Sequence, residues 1–273
     1  MPILCEYQTP ELHLRHVVDE HPNDKYFSMH VHNHCEIFCY LSGNVKYLVE
    51  GYEYALEPGS IMLMRPSETH RARIVSDKTY ERFSLNFYPE AIDSIDTEHR
   101  LMRAFMDRPL GCGNLYLPSE LKGVQPRDFF ENMCLPARDD YDRELKIHTQ
   151  LFALLDIINE AYMRRADHEF QPPQTLAEQM VAYVNANLFD ELSVPYLAKR
   201  FFISPSQVGR IFKKATGTAP WEYITIKRLS AVRERIHSGE LAKEASLKCG
   251  FSDYSVFYRA YVKYFGCAPR EDK

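Results

Sequence analysis

No stretch of this 273-residue chain approaches the roughly 18 consecutive apolar residues of a membrane span, and no basic-then-apolar leader precedes Tyr7. Glycine is scarce, with 11 in all, and none of them builds a phosphate-cradling loop. The seven cysteines (Cys5, Cys35, Cys39, Cys112, Cys134, Cys249 and Cys267) are odd in number, scattered and free of any CxxC pair. That spacing argues against a zinc finger or a disulfide framework and for a reducing, cytoplasmic setting. Positive charge is lacking too. The formal net charge of −5 speaks against a ligand-blind architectural DNA binder, which would be strongly basic. The average conceals a split, because residues 174–273 hold 15 Lys/Arg against 10 Asp/Glu, leaving 18 against 28 for residues 1–173. A basic C-terminal unit suits phosphate; the acidic N-terminal unit does not.

What the chain does contain is concentrated in Leu192 to Pro269. Leu192, Val194, Leu197, Ala198 and Phe201 recur at helical spacing. Ser204 then reads as an N-cap, with Pro205 at the first helical position and Gln207 completing a capping box. The helix it opens buries Val208, Ile211 and Phe212 and turns Ser206, Gln207, Gly209, Arg210 and Lys213 outward, a set suited to a major groove. The arrangement recurs: Leu241 to Lys248 as a helix, Cys249-Gly250-Phe251 as the turn, Ser252 as a second N-cap. A second recognition-type helix follows, with Val256, Phe257, Ala260, Tyr261 and Phe265 for packing. Between the units, Trp221 to His237 is a continuous helical pattern of roughly 26 Å, long enough to hold two reading helices about one DNA turn apart.

These stretches, LAKRFFISPSQVGRIFKKATGTAPWEYI, KRLSAVRERI and CGFSDYSVFYRAYVKYFGCAPR, resemble the double helix-turn-helix domain of AraC/XylS-type transcriptional regulators over residues 193–269. Ala242, Ala245 and Ser246 depart from the bulkier pattern of that family. The expected architecture is an α+β two-domain chain. A cupin-like β-barrel with following helices (1–166) would sense a ligand and dimerise. A linker (167–174) would lead to an all-α domain (175–273) of two helix-turn-helix units joined by a linker helix. The expected DNA-contacting residues are Ser204, Ser206, Gln207, Arg210, Lys213 and Lys214 in the first unit, and Asp253, Tyr254, Val256, Tyr258, Arg259 and Lys263 in the second.

Residues 1–90 read as short β-rich runs separated by Ser42-Gly43-Asn44, Glu50-Gly51, Pro58-Gly59 and Pro66-Ser67. Residues 91–108 read as helical and 109–138 as loop with one short helix. A long amphipathic helix is expected from Asp140 to Arg165, with Leu145, His148, Leu151, Phe152, Leu155, Ile158 and Tyr162 along one stripe, either intramolecular core or a dimer seam, with the seam favoured. Gln171-Pro172-Pro173-Gln174 reads as a stiff linker.

One constellation could carry chemistry. His30, His32, His34, Glu36, Phe38 and Tyr40 occupy alternate positions and would share one face of a regular strand. His30-x-His32-x3-Glu36-x6-Gly43 is similar to the first cupin motif, and Gly59-x6-Pro66-x3-His70 to a loosened second one. In metal-binding cupins such residues close on a divalent cation, so His30, His32, Glu36 and His70 are candidate ligands. The glycine before His30 and an Asn after His70 are absent, and the Pro-to-His spacing is short by one. The favoured expectation is therefore a pocket without a resident cofactor, in which His30, His32, His34, Glu36 and His70 hydrogen-bond a polar effector while Phe38, Tyr40 or Tyr47 stack on it. Histidines that merely brace the barrel are a third possibility. The resemblance implies a sugar-like effector, double-stranded DNA, a homodimer and RNA polymerase as partners, and no catalytic residue. The alternative is a metal-dependent cupin enzyme fused to a DNA-binding tail.

Overall fold

A computed structural model describes residues 2–165, 170 and 172–272. Residue 166, at the expected domain end, and residues 167–169 and 171 of the expected linker lie outside the described residues. The N-terminal half is built from β1 (Ile3–Gln8), β2 (Leu12–Asp19), β3 (Cys35–Ser42), β4 (Val45–Val49), β5 (Tyr52–Ala55), β6 (Ile61–Met64), β7 (His70–Ile74), β8 (Tyr80–Phe87) and β9 (Leu115–Tyr116). They form a six-stranded sheet ordered β1-β2-β8-β3-β6-β9 and a three-stranded sheet ordered β5-β4-β7. Strand β3 shows why the two stack. Its sequence, CEIFCYLS, is buried on both faces over its first six residues. Phe38 and Tyr40 pack with Tyr47, Met62, Met64 and Tyr80 between the sheets. Ile37 and Cys39 join Leu63, Phe83 and Leu85 on the other face.

That second face is covered by α1 (Arg103–Met106), α2 (Pro126–Cys134) and α3 (Asp140–Arg165). The long helix has the expected bounds, but its buried stripe runs through Ile147, Leu151, Leu154, Leu155, Ile158, Ala161 and Tyr162 and enters this core. Leu145 is exposed. Of the two readings of this stripe, intramolecular core rather than dimer seam is what the packing supports, since its apolar residues are buried with those of the sheet. Residues 91–108 are mostly turns, with only the single turn of α1 helical.

The C-terminal half comprises α4 (Leu176–Ala186), α5 (Val194–Arg200), α6 (Pro205–Thr216), α7 (Pro220–His237), α8 (Ala242–Lys248) and α9 (Tyr254–Phe265). One apolar cluster joins α4, α5 and α6 to the start of α7; another joins the rest of α7 to α8 and α9. Ala245 and Ser246 are buried, and Ala245 packs among Leu229, Val232, Phe251, Phe257 and Tyr261.

One contact between the halves is made by a turn. Glu50 and Gly51, both with positive φ (48° and 88°), connect β4 to β5 as a two-residue hairpin. Gly51 lies against α4, where an added Cβ would come within 2.9 Å of Val181. Glu50 is 1% exposed. Its carboxylate accepts from Lys227 Nζ (2.8 Å), Asn185 Nδ2 (2.7 Å), the Thr69 backbone N–H (2.6 Å) and the Tyr223 hydroxyl. Lys227 Nζ also donates to the Ser67 carbonyl at 2.6 Å. Four donors satisfy a charge that burial would otherwise expel.

Removing one member of such a pair strands the other. Lys227→Ala is expected to cost about 3–5 kcal/mol, read from urea unfolding of the whole chain. Glu50→Ala combined with Lys227→Ala should cost less than the two changes added. Single variants within about 0.5 kcal/mol of the parent would show that the contact does not join the halves.

Candidate functional site

The regular strand expected from His30 begins only at Cys35. Before it, residues 28–34 are irregular, and His30 forms an isolated antiparallel bridge with His70 (N···O 3.1 and 3.0 Å). Ser67 N–H donates to the His32 carbonyl at 2.9 Å. The histidine-bearing segment is thus zipped to the segment preceding β7. This bend removes His34 from the shared face. Its ring stacks on His32 at 4.0 Å and meets Tyr88 edge-on at 5.8 Å, beside a separate cleft.

His30, His32, Glu36 and His70 do come together, with one ligand atom from each lying within 4.8 Å of all the others. In every one of the three rings Nδ1 faces a main-chain carbonyl: Ser28 for His30 (3.1 Å), His34 for His32 (2.9 Å) and Glu68 for His70 (2.8 Å). A carbonyl only accepts, so Nδ1 must carry the proton, and a neutral ring then offers Nε2 as a lone pair. His32 Nε2 lies 3.1 Å from Glu36 Oε2. His70 Nε2 is 3.2 Å from the same oxygen without hydrogen-bond geometry, and it is buried with no other partner. Carboxylate oxygen and imidazole lone pairs therefore converge on one point. Either additional protons on the rings or a shared cation resolves that repulsion. Burial pushes His30 down to about 3 and lowers His32, which favours neutral rings. His70 is raised: burial, which would lower it, is outweighed by Glu36. For Glu36, burial is overcome by His32 and His70, leaving its carboxyl well below the usual carboxylate range. Carbonyl-fixed imidazoles plus a carboxylate are a fitting donor set for a divalent transition metal.

Beside the quartet lies a cavity of about 190 Å³ between the two sheets. Of the residues expected there, His30, Glu36, Phe38 and Tyr47 line it, with Phe38 and Tyr47 rings 4.8 Å apart. His32 and His70 stand behind them in the quartet. Tyr40 does not reach it; its hydroxyl donates to the Gly43 carbonyl at 2.8 Å. Arg15, Phe27, Tyr80, Arg82 and Ser84 line the cavity without having been anticipated. Their signal was present: in YERFSLNF, Arg82, Ser84 and Asn86 alternate with Phe83, Leu85 and Phe87, giving a polar face that turns inward.

In the C-terminal half, Ser204 caps α6 with Gln207 in a reciprocal box and Pro205 at the first position, as the sequence indicates. Ser204, Ser206, Gln207, Arg210, Lys213 and Lys214 are all exposed along α6. On α9, Tyr254, Val256, Tyr258, Arg259 and Lys263 are exposed, as is Asp253 before it. Val256, expected to pack as well as to read DNA, is 45% exposed. The cap of α9 is Asp253, whose Oδ1 accepts from Ser255 N–H (2.6 Å) and Val256 N–H (3.1 Å); Ser252 does not serve. An Asp one residue nearer the helix provides a charged acceptor for the same orphan donors.

Two family models match the chain: an AraC-like ligand binding domain over residues 15–153 and a helix-turn-helix domain over residues 197–273. The HTH-type transcriptional activator RhaS of Yersinia pestis (strain Pestoides F) is 23% identical over 259 residues, covering 90% of this chain and 88% of that protein. The XylDLEGF operon transcriptional activator 3 of Pseudomonas putida is 24% identical over 249 residues, covering 85% and 70% respectively. Among solved structures, ToxT from Vibrio cholerae is similar over 96% of this chain and 97% of its own, at 14% identity and a TM-score of 0.39.

The capping assignment makes a quantitative difference. Asp253→Ala should destabilise the chain by about 1 kcal/mol in urea unfolding, whereas Ser252→Ala should leave it within about 0.5 kcal/mol. The reverse order would return the cap to Ser252.

Proposed function

The chain belongs to the AraC family of transcriptional regulators, and we propose that a small polar effector held between its two sheets controls how α6 and α9 engage DNA. Helix-turn-helix domains of this type bind DNA, and the proposed readers are the exposed residues of α6 and α9. Arg210 and Gln207 carry the base-discriminating chemistry of the first head, with Lys213 and Lys214 toward phosphate. Tyr254, Val256, Tyr258 and Arg259 form the second head, with Lys263 toward phosphate.

The observation that carries the control mechanism is a shared pair of segments. The residues that bring His30, His32 and His70 together also touch the DNA-binding half. Val31 N–H donates to Tyr264 Oη (3.2 Å), Asn33 meets His237 (3.4 Å), and Ser67 meets Ser230 (3.0 Å) and Glu234. An effector that prefers one arrangement of these segments thereby prefers one docking of α7 and α9, and it shifts the balance by that difference in affinity. A sugar or related metabolite fits the mixture of imidazole, hydroxyl and aromatic faces. The domain limits 1–166 and 175–273, a cytoplasmic setting, a homodimer on paired half-sites and contact with RNA polymerase complete the proposal. The dimer seam is no longer the buried stripe of α3. No described helix is long and apolar enough to cross a membrane.

His30, His32, Glu36 and His70 would hold one divalent transition metal, which when bound supplies a Lewis-acidic anchor for an effector oxygen. The carbonyl-fixed tautomers support this over a cofactor-free pocket. The same quartet favours a second reading, a metal-dependent enzyme joined to a DNA-binding domain. Substrate turnover by the metal-loaded chain with no effect on DNA affinity would select it.

Metal content of the purified chain is expected to be close to one per chain by elemental analysis. A chelator should lower the melting temperature, and His70→Ala should abolish both effects. A chelator-insensitive, metal-free protein that also fails to take up cobalt would remove the metal. For DNA, Arg210→Ala should flatten sequence preference, losing about 1–3 kcal/mol on the specific site, while Lys214→Ala weakens specific and random DNA about equally. Equal losses on both DNAs for Arg210→Ala would strike it from the readers.

A further inference from the structure

Resting on the reading of the inter-sheet cavity as the effector site, we infer that the effector is a small carboxylate, a sugar acid or hydroxy acid, with its carboxylate on Arg15. Register fixes the geometry. Arg15 of β2 lies opposite Ser84 of β8, and Ser84 lies opposite Phe38 of β3, so the three share the face that turns into the cavity. Arg82 is two residues along the same face. Its guanidinium is held 4.3 Å from the Tyr80 ring centroid and 5.4 Å from that of Phe27. Arg15 has no such support. Its Nε is buried without a hydrogen-bond partner, and among the described residues no carboxylate pairs with it.

A buried guanidinium Nε that no described residue satisfies calls for an acceptor. The planar fork matches a carboxylate with two parallel bonds. Among the described residues the only acid lining the cavity is Glu36, which the His32 and His70 contacts already engage. Two arginines against one committed carboxylate leave the cavity electropositive, and a divalent cation on the quartet would add to that. A neutral sugar leaves the Arg15 charge unanswered; an acid cancels it. Size narrows the class further. About 190 Å³ corresponds to roughly six waters at about 30 Å³ each. That is room for an acid of five or six carbons. The Phe38 and Tyr47 rings supply the apolar face for the carbon skeleton.

The test uses the full chain in thermal-shift and calorimetric titrations. The probes are glucuronate, galacturonate and gluconate, the neutral sugars glucose and galactose, glucose 6-phosphate, and sodium acetate against sodium chloride as a minimal carboxylate. At least one acid and acetate should stabilise the parent chain, and the neutral sugars should not. Arg15→Gln should weaken the acid at least tenfold and abolish the acetate effect. It should not lower the melting temperature without ligand, since it removes an unanswered charge; Arg15→Lys should retain part of the acid response. Stabilisation by a neutral sugar or by the phosphate ester alone, or acid binding unchanged in Arg15→Gln, overturns the inference. So does the absence of any Arg15-dependent carboxylate effect. A lower melting temperature for Arg15→Gln without ligand would make Arg15 a structural residue instead. DNA affinity measured in parallel separates the two levels. A neutral effector that changes DNA binding defeats the acid and keeps the regulator. An acid that binds without changing DNA affinity keeps the acid and defeats effector control.

Discussion

The Glu50 carboxylate is the constraint on which the arrangement of this molecule turns. It sits in a two-residue hairpin, a place where a charged side chain ordinarily faces water, yet it is sealed between the halves by donors from α4, α7 and the segment leading into β7. A buried charge of this kind contributes less to net stability than to geometry. Only one docking brings Asn185, Tyr223, Lys227 and the Thr69 N–H to the same two oxygens. Tyr223 belongs at once to the apolar cluster of α4–α6 and to this polar one, so the first helix-turn-helix unit is held where the carboxylate dictates.

Thr69 links that constraint to the site. Its neighbour Glu68 is sealed under the sheet, bound by Arg108 (2.7 and 2.8 Å), Gly111 N–H (2.8 Å) and Asn114 (2.9 Å). Its other neighbour, His70, enters the quartet. Within residues 67–70 the chain therefore addresses α7, the barrel core, the Glu50 carboxylate and the histidine cluster in succession. The site and the interface draw on one backbone segment, with little room for one to move without the other.

Much of the helical part of the chain was legible because its signals are local. Ser204, Pro205 and Gln207 specify a helix start within four residues, and α3 has its expected bounds because its apolar period persists over 26 residues. The N-terminal half was read less completely, since a strand's meaning depends on partners far away. Arg15 becomes a pocket residue only through pairing with Ser84, and β2 itself is a strand by virtue of β1 and β8. The even spacing of His30 to Tyr40 gave the right neighbours for the wrong reason. The chain bends before Cys35, which keeps His30, His32 and Glu36 together through His70 and sends His34 elsewhere. Glu50 was passed over as turn punctuation, because nothing within ten residues announces that another domain will cover it.

Helix α7 is common property. One side closes the apolar cores of both helix-turn-helix units, and the other carries Tyr223, Lys227, Ser230 and Glu234 to the sensor half. Eighteen residues of unbroken helix form a rod of about 27 Å. A rod held along both sides transmits displacement as a whole. Under the proposed effector control, the two reading heads would share a single mechanical input, and neither could be retuned by the sensor alone. Each molecule would then behave as one switch with two contacts, and any graded response of a promoter would be a count of molecules thrown.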